Sequence, residues 1–215
     1  VNHRELIKLK NKIKKQNVRI AYNRLCYPSF HKLLECIKKD GGASSCKFSF
    51  TEIIDRINFK NDLPEIYSKW GISNSLHVIS MAMELIGMPK KIITNQWGKL
   101  NWHKSGSIFV GCGISKKNIP FSYHSDWQGS GRWGIEVSTK KNLYQLVPLE
   151  KLYCCPKGKF DWSEIPLNTA YSDLKTGVAE EISMMLSNKK IKDEMISLSQ
   201  GIEYNKLADK IFGYS

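Results

Sequence analysis

The hydrophobic period of this chain changes twice. Before Gly87 and Pro89 the apolar residues recur mainly at helical spacing. From Ile92 to Val147 they alternate, as half-buried strands do. After Asp173 helical spacing returns. Helices, then a run of strands, then helices again argue an α+β fold. Strand signals recur every 10–13 residues or so, which fits antiparallel pairing rather than βαβ crossovers. The expected fold is a mostly antiparallel, open-faced sheet with helices on one face.

Residues 4–15 place Leu6, Ile7, Leu9 and Ile13 among lysines, the pattern of an amphipathic helix that Asn17 breaks. Residues 18–22 read as a short strand. Pro28 opens a helix over 29–39, which Asp40-Gly41-Gly42 ends. Residues 45–54 read as a strand, and 74–86 as a helix with a broad apolar face. Strands follow at 92–93, 107–114, 121–127, 133–138 and 143–147. A helix carrying Val178, Ile182, Met185 and Leu186 precedes a last one carrying Ile196, Ile202, Leu207 and Ile211.

No stretch reaches 18 apolar residues, so no membrane span is expected. The 215 residues are enough for a sizeable core without disulfides or metals. The six cysteines show no C-x-x-C pair and no zinc spacing, so no metal site is expected and reduced cytoplasmic thiols are. Cys112, inside a strand, reads as a small core residue. The net charge of +13 comes with only five arginines: Arg4, Arg19, Arg24, Arg56 and Arg132. Base readout and bidentate phosphate clamps lean on Arg, so the lysine excess reads as solvated surface and no nucleic-acid partner is expected. Lys8, Lys10, Lys12, Lys14 and Lys15 ring a short helix as solvated residues do.

One G-x-G-x-x-G occurs, Gly129-Ser-Gly131-Arg-Trp-Gly134. A dinucleotide site needs a helix N-terminus after it, and here Ile135-Glu-Val137 continues as a strand. The glycines read as a hairpin turn. Ser122, His124 and Asp126 share one strand face and cannot converge as a hydrolytic triad. His31 falls on the polar side of a helix, and His103 in a loop. His77 lies in the first turn of the 74–86 helix, where the dipole favours neutral imidazole, the form a general base needs.

Three stretches carry a family resemblance: Tyr22-Asn-Arg-Leu-Cys-Tyr-Pro-Ser29, Asn74-Ser-Leu-His77-Val-Ile, and 121–139 running on to Pro148-Leu-Glu-Lys-Leu152. With Leu174-Lys-Thr-Gly177 they resemble, in order, the second half of the glucose–fructose oxidoreductase/inositol dehydrogenase (Gfo/Idh/MocA) family. The branch resembled is that of surface-polysaccharide (lipopolysaccharide or capsule) biosynthesis.

The resemblance implies an NAD- or NADP-dependent oxidoreductase acting on a sugar or sugar nucleotide. Residues 1–23 would be the last helix and strand of a Rossmann domain. Residues 24–215 would form the C-terminal substrate and oligomerisation domain, pairing copies into a dimer or tetramer through the open sheet face. His77 matches the family's catalytic His, and Asn23 and Arg24 fall where a nicotinamide end would lie. The cofactor fingerprint and the catalytic Lys would lie upstream of Val1, so this chain alone is expected to bind neither NAD nor NADP. Ser73 and Ser80 stand where members of the family carry Asp beside the His. That departure supports an alternative, a non-catalytic binding or assembly module that kept the fold and lost the chemistry.

Overall fold

The computed structural model describes residues 3–13, 18–60, 63–168, 173–187 and 195–214. Lys14, Lys15 and the expected break at Asn17 lie outside them. Helix α1 (His3–Lys12) buries only Leu6, against Leu198 and Ile202. Residues 18–22 run extended but form no sheet strand. Arg19 makes one isolated bridge to Ser197, and the Ile20 N–H donates to the Ile196 carbonyl at 2.8 Å. A single bridge does not make a ladder, so the strand expected there is replaced by an extended connection.

A 3-10 turn (Asn23–Cys26) leads into α2 (Pro28–Lys39), whose first residue is a proline that needs no N–H partner. Phe30, Leu33 and Ile37 are its buried stripe. Gly42, at φ 110°, makes the turn into β1 (Ala43–Phe50) that a side chain would strain. A short helix α3 (Pro64–Ser68) and a π-helical turn (Gly71–Ser75) feed α4 (Leu76–Ile86). This helix is buried nearly all round, because the sheet lies on one side and the last helix on the other.

The strands follow as β2 (Pro89–Trp97), β3 (Ile108–Ser115), β4 (Pro120–Asp126), β5 (Trp133–Thr139), β6 (Asn142–Leu146), β7 (Tyr153–Pro156) and β8 (Ser163–Glu164). They form one sheet ordered β2-β3-β4-β1-β5-β6-β7-β8. The pairing is antiparallel except for β1 with β4. The sheet is therefore two meanders separated by β1, a strand from earlier in the chain, and not a single run. Helix α5 (Val178–Leu186) and helix α6 (Leu198–Phe212) follow β8 among the described residues; α6 is capped by Ser197, which accepts from the Gln200 N–H.

One sheet face carries the core. Phe48, Phe50, Phe109, Tyr123 and Trp127 pack there against α4 and against Phe212 of α6. No described element covers the other face. Its β2–β3 half is apolar: Ile93 is 66% exposed, Trp97 54%, and Ile108, Val110 and Ile114 are half-buried. Beyond β3 it turns polar at Ser122 and His124, because Phe121 and Tyr123 point inward. Cys112 belongs to this outer set and is exposed, which corrects its assignment to the core. Its strand neighbours Phe109 and Gly111 face the helices, and alternation puts residue 112 outside. Helix α5 departs from expectation too: Ile182, Met185 and Leu186 face outward, while Met184 approaches Cys26.

The strands define two ends. At the carboxyl end of β1 lie the starts of α2 and α4, the 127–132 loop and the 147–149 connection. At its amino end lie the turns after α2, α4, β3, β5 and β7.

Candidate functional site

A cleft of about 610 Å³ opens at the carboxyl end of β1. It begins with Glu52, two residues past β1, which is only 6% exposed. Its carboxylate accepts from Ser75 Oγ at 2.6 Å, Asn74 Nδ2 at 2.8 Å and Trp133 Nε1 at 3.2 Å. Burial pushes this carboxyl above the usual carboxylate range, and the hydrogen bonds pull partly back. The carboxylate thus ties three elements together: the chain leaving β1, the π-turn before α4, and the start of β5.

Arg24, in the 3-10 turn, lies 4.7 Å above the Trp133 ring, a cation–π contact. Its Nη1 donates to Asn23 Oδ1 at 3.3 Å. Arg56 and Arg132 stand at the mouth, both exposed. Three of the chain's five arginines therefore line one cleft, along with Trp70, Trp133 and Glu150. Planar guanidinium groups and aromatic faces suit a ligand with both anionic and ring-shaped parts.

His77 does not line this cleft; it sits one helical turn beyond Asn74. Its ring meets Tyr22 edge-on at 5.8 Å between centroids. Burial, and secondarily the Arg24 charge, push its pKa down to about 3, so the imidazole is neutral at pH 7. Neutrality was expected from a helix N-terminus, but the π-turn extends the helix backwards, and burial is the larger cause. Nδ1 is buried and has no hydrogen-bond partner. Neither serine at the departed positions supplies one. Ser73 Oγ donates to the Ile66 and Trp70 carbonyls, and Ser80 Oγ donates to the carbonyl of His77 itself at 2.9 Å.

The G-x-G-x-x-G loop crosses the end of β1 from β4 to β5. It is not a hairpin, since β1 lies between the strands it joins. Asp126 Oδ1 accepts from the N–H groups of Gln128 and Gly129, which commits that carboxylate to the loop. The loop runs into β5, so no helix N-terminus follows it. This loop therefore does not make a pyrophosphate cradle. Asn23 and Arg24, the residues expected at a nicotinamide end, lie together in the 3-10 turn and hydrogen-bond to each other. His103 is buried and structural: its Nδ1 pairs with the Gly106 carbonyl at 2.9 Å, and burial lowers its pKa to about 4. Among the described residues no three His, Cys, Asp or Glu side chains converge to hold a metal, and no helix is long and apolar enough to cross a membrane.

Sequence reasoning passed over Glu52 because its partners are 22 to 81 residues away. A local signal was present all the same: it is the lone acid in the apolar run Phe48–Ile54. Such an acid is seldom buried unless paired.

No protein-family model matches the sequence, and no curated protein matches it. Solved structures do share the fold. A UDP-N-acetylglucosamine 3-dehydrogenase from Acidithiobacillus ferrooxidans superposes with a TM-score of 0.74 at 10% identity, over 99% of this chain and 66% of that one. A levoglucosan dehydrogenase in complex with NADH and levoglucosan gives 0.71 at 13% identity, over 98% and 68%. An oxidoreductase from Thermotoga maritima gives 0.71 at 12%, over 96% and 63%. The chain thus spans about two thirds of the length of these proteins and shares the fold of the part that it covers.

Proposed function

We propose that this chain is the substrate-binding and oligomerisation part of an NAD(P)-dependent oxidoreductase. The substrate is a sugar or sugar nucleotide, and the pathway is surface-polysaccharide biosynthesis in the cytoplasm. The observation that carries this reading is the convergence of Arg24, Arg56 and Arg132 on one cleft beside His77. It occurs in a fold shared with sugar dehydrogenases. Residues 1–23 are read as the end of a cofactor domain and 24–215 as the substrate domain. The arginines meet an anionic group of the substrate, Trp133 offers a sugar ring a face, and the reacting hydroxyl must reach past Asn74, beyond the cleft lining, for neutral His77 to take its proton.

In the full-length protein, His77→Asn lowers turnover of a nucleotide-sugar panel by roughly a hundredfold to ten-thousandfold, with an unchanged melting curve. One observation favours a second reading: His77 Nδ1 has no carboxylate to orient it. A module that lost its chemistry predicts no turnover before or after the substitution. Turnover that His77→Asn leaves unchanged removes the imidazole from the mechanism.

The oligomer is read from the uncovered face. Ile93, Trp97, Ile108, Val110 and Ile114 form an apolar patch that a second copy would cover across a twofold axis. Light scattering should give a dimer or tetramer mass that Trp97→Asp reduces to a monomer; a wild-type monomer at high concentration overturns this.

A further inference from the structure

The amino end of β1 gathers five connections from distant parts of the sequence, and each carries two lysines. Lys38 and Lys39 close α2, Lys90 and Lys91 open β2, and Lys116 and Lys117 turn between β3 and β4. Lys140 and Lys141 turn between β5 and β6, and Lys157 and Lys159 between β7 and β8. All ten are exposed. These connections hold two acids. Asp161 is exposed, whereas Asp40 is buried and accepts from Thr139 Oγ1, Asn142 Nδ2 and Tyr144 OH. The β7–β8 turn also projects Phe160, 95% exposed, and Trp162, 41% exposed.

We propose that this end of the molecule docks on an anionic phospholipid surface. The inference stands on topology and charge, and does not depend on the oxidoreductase reading. A lysine near an anionic leaflet strengthens binding about fivefold, and the contributions combine across a flat array. Strands about 4.8 Å apart spread these turns over roughly 30 Å, the breadth of a plane rather than of a groove about 12 Å wide. Lysine as a diffuse point charge suits headgroups, and this end holds no arginine for bidentate contacts. Phe160 and Trp162 supply what charge alone does not: an apolar ring to sink below the headgroups and an amphipathic ring to sit among them. Docked this way, the arginine-lined cleft at the opposite end of the strands faces solution.

The test is cosedimentation of the chain with vesicles of phosphatidylcholine, with and without a third of phosphatidylglycerol. The chain should pellet only with the anionic vesicles. Binding should fade in 1 M salt, where the screening length drops to about 3 Å. Lys140→Glu/Lys141→Glu should weaken binding by at least about 25-fold. Lys60→Glu/Lys99→Glu makes the same charge change at the opposite end and should stay within about twofold. Should the first pair disturb folding, Lys157→Ala/Lys159→Ala reads the same surface. Equal losses from both ends would reduce the effect to net charge and overturn the proposal. Failure to pellet would do so as well, and so would binding of a DNA duplex without binding of vesicles.

Discussion

The two ends of the strands carry the same sign of charge in different ways. At the carboxyl end of β1 the basic groups in the cleft are arginines, and Arg24 is stacked on Trp133 beside a buried, triply hydrogen-bonded Glu52. At the amino end they are lysine doublets on turns, and the one buried acid there, Asp40, is spent on Thr139, Asn142 and Tyr144. The first arrangement fixes side chains in place, as selective recognition of a small molecule requires. The second leaves them mobile in solvent, which suits a diffuse field and not a shaped site. Position along the strands, more than net charge, separates the two roles.

Removing Glu52 is the strongest way to break that contrast. Glu52→Ala leaves the donors of Ser75, Asn74 and Trp133 without an acceptor in a buried place. The expected loss is about 3 kcal/mol of stability, read by urea unfolding. Lys116→Ala/Lys117→Ala at the other end should stay within about 0.5 kcal/mol. If Glu52→Ala unfolds at the same urea concentration as the wild type, the carboxylate does not hold the cleft together, and the first end is no more organised than the second.

The sequence disclosed these regions unevenly. The change of hydrophobic period located α4 and most strands to within a few residues, because burial of one face imposes the period locally. Strand order is not local. Inserting β1 between β4 and β5 changes no period, so the 129–134 glycines read as a hairpin turn although the loop crosses the end of β1. Alternation places Cys112 opposite Phe109 but does not say which face is covered. The apolar stripe of α5 is as regular as that of α2, yet its Ile182 and Leu186 stay 54% and 81% exposed among the described residues. His77 was visible through its motif, Glu52 was not, since its role exists only when residues 52, 74, 75 and 133 meet. The lysine doublets looked like ordinary surface one at a time, and only the topology brings them to one end.

Titration sharpens the comparison by a smaller amount. His77 is held near pKa 3 in the folded chain against an ordinary 6.5. Between those values the unfolded imidazole binds a proton that the folded one refuses, so protons favour unfolding and stability rises with pH through that window. His103, lowered to about 4, acts in the same direction. Glu52 acts oppositely: its folded pKa is raised above 4.5, so stability falls as pH climbs from that value through the raised one. His77→Asn should therefore flatten the rise of unfolding free energy between about pH 4 and 6 by at most about 1.4 kcal/mol per pH unit, leaving the His103 share. Lys140→Ala/Lys141→Ala, at the other end of the strands, should leave that slope alone. Urea unfolding at several pH values measures both. A slope that His77→Asn leaves untouched would mean that the folded imidazole is protonated as readily as the unfolded one, and it would cost His77 the neutral, buried state on which its proposed role as a base depends.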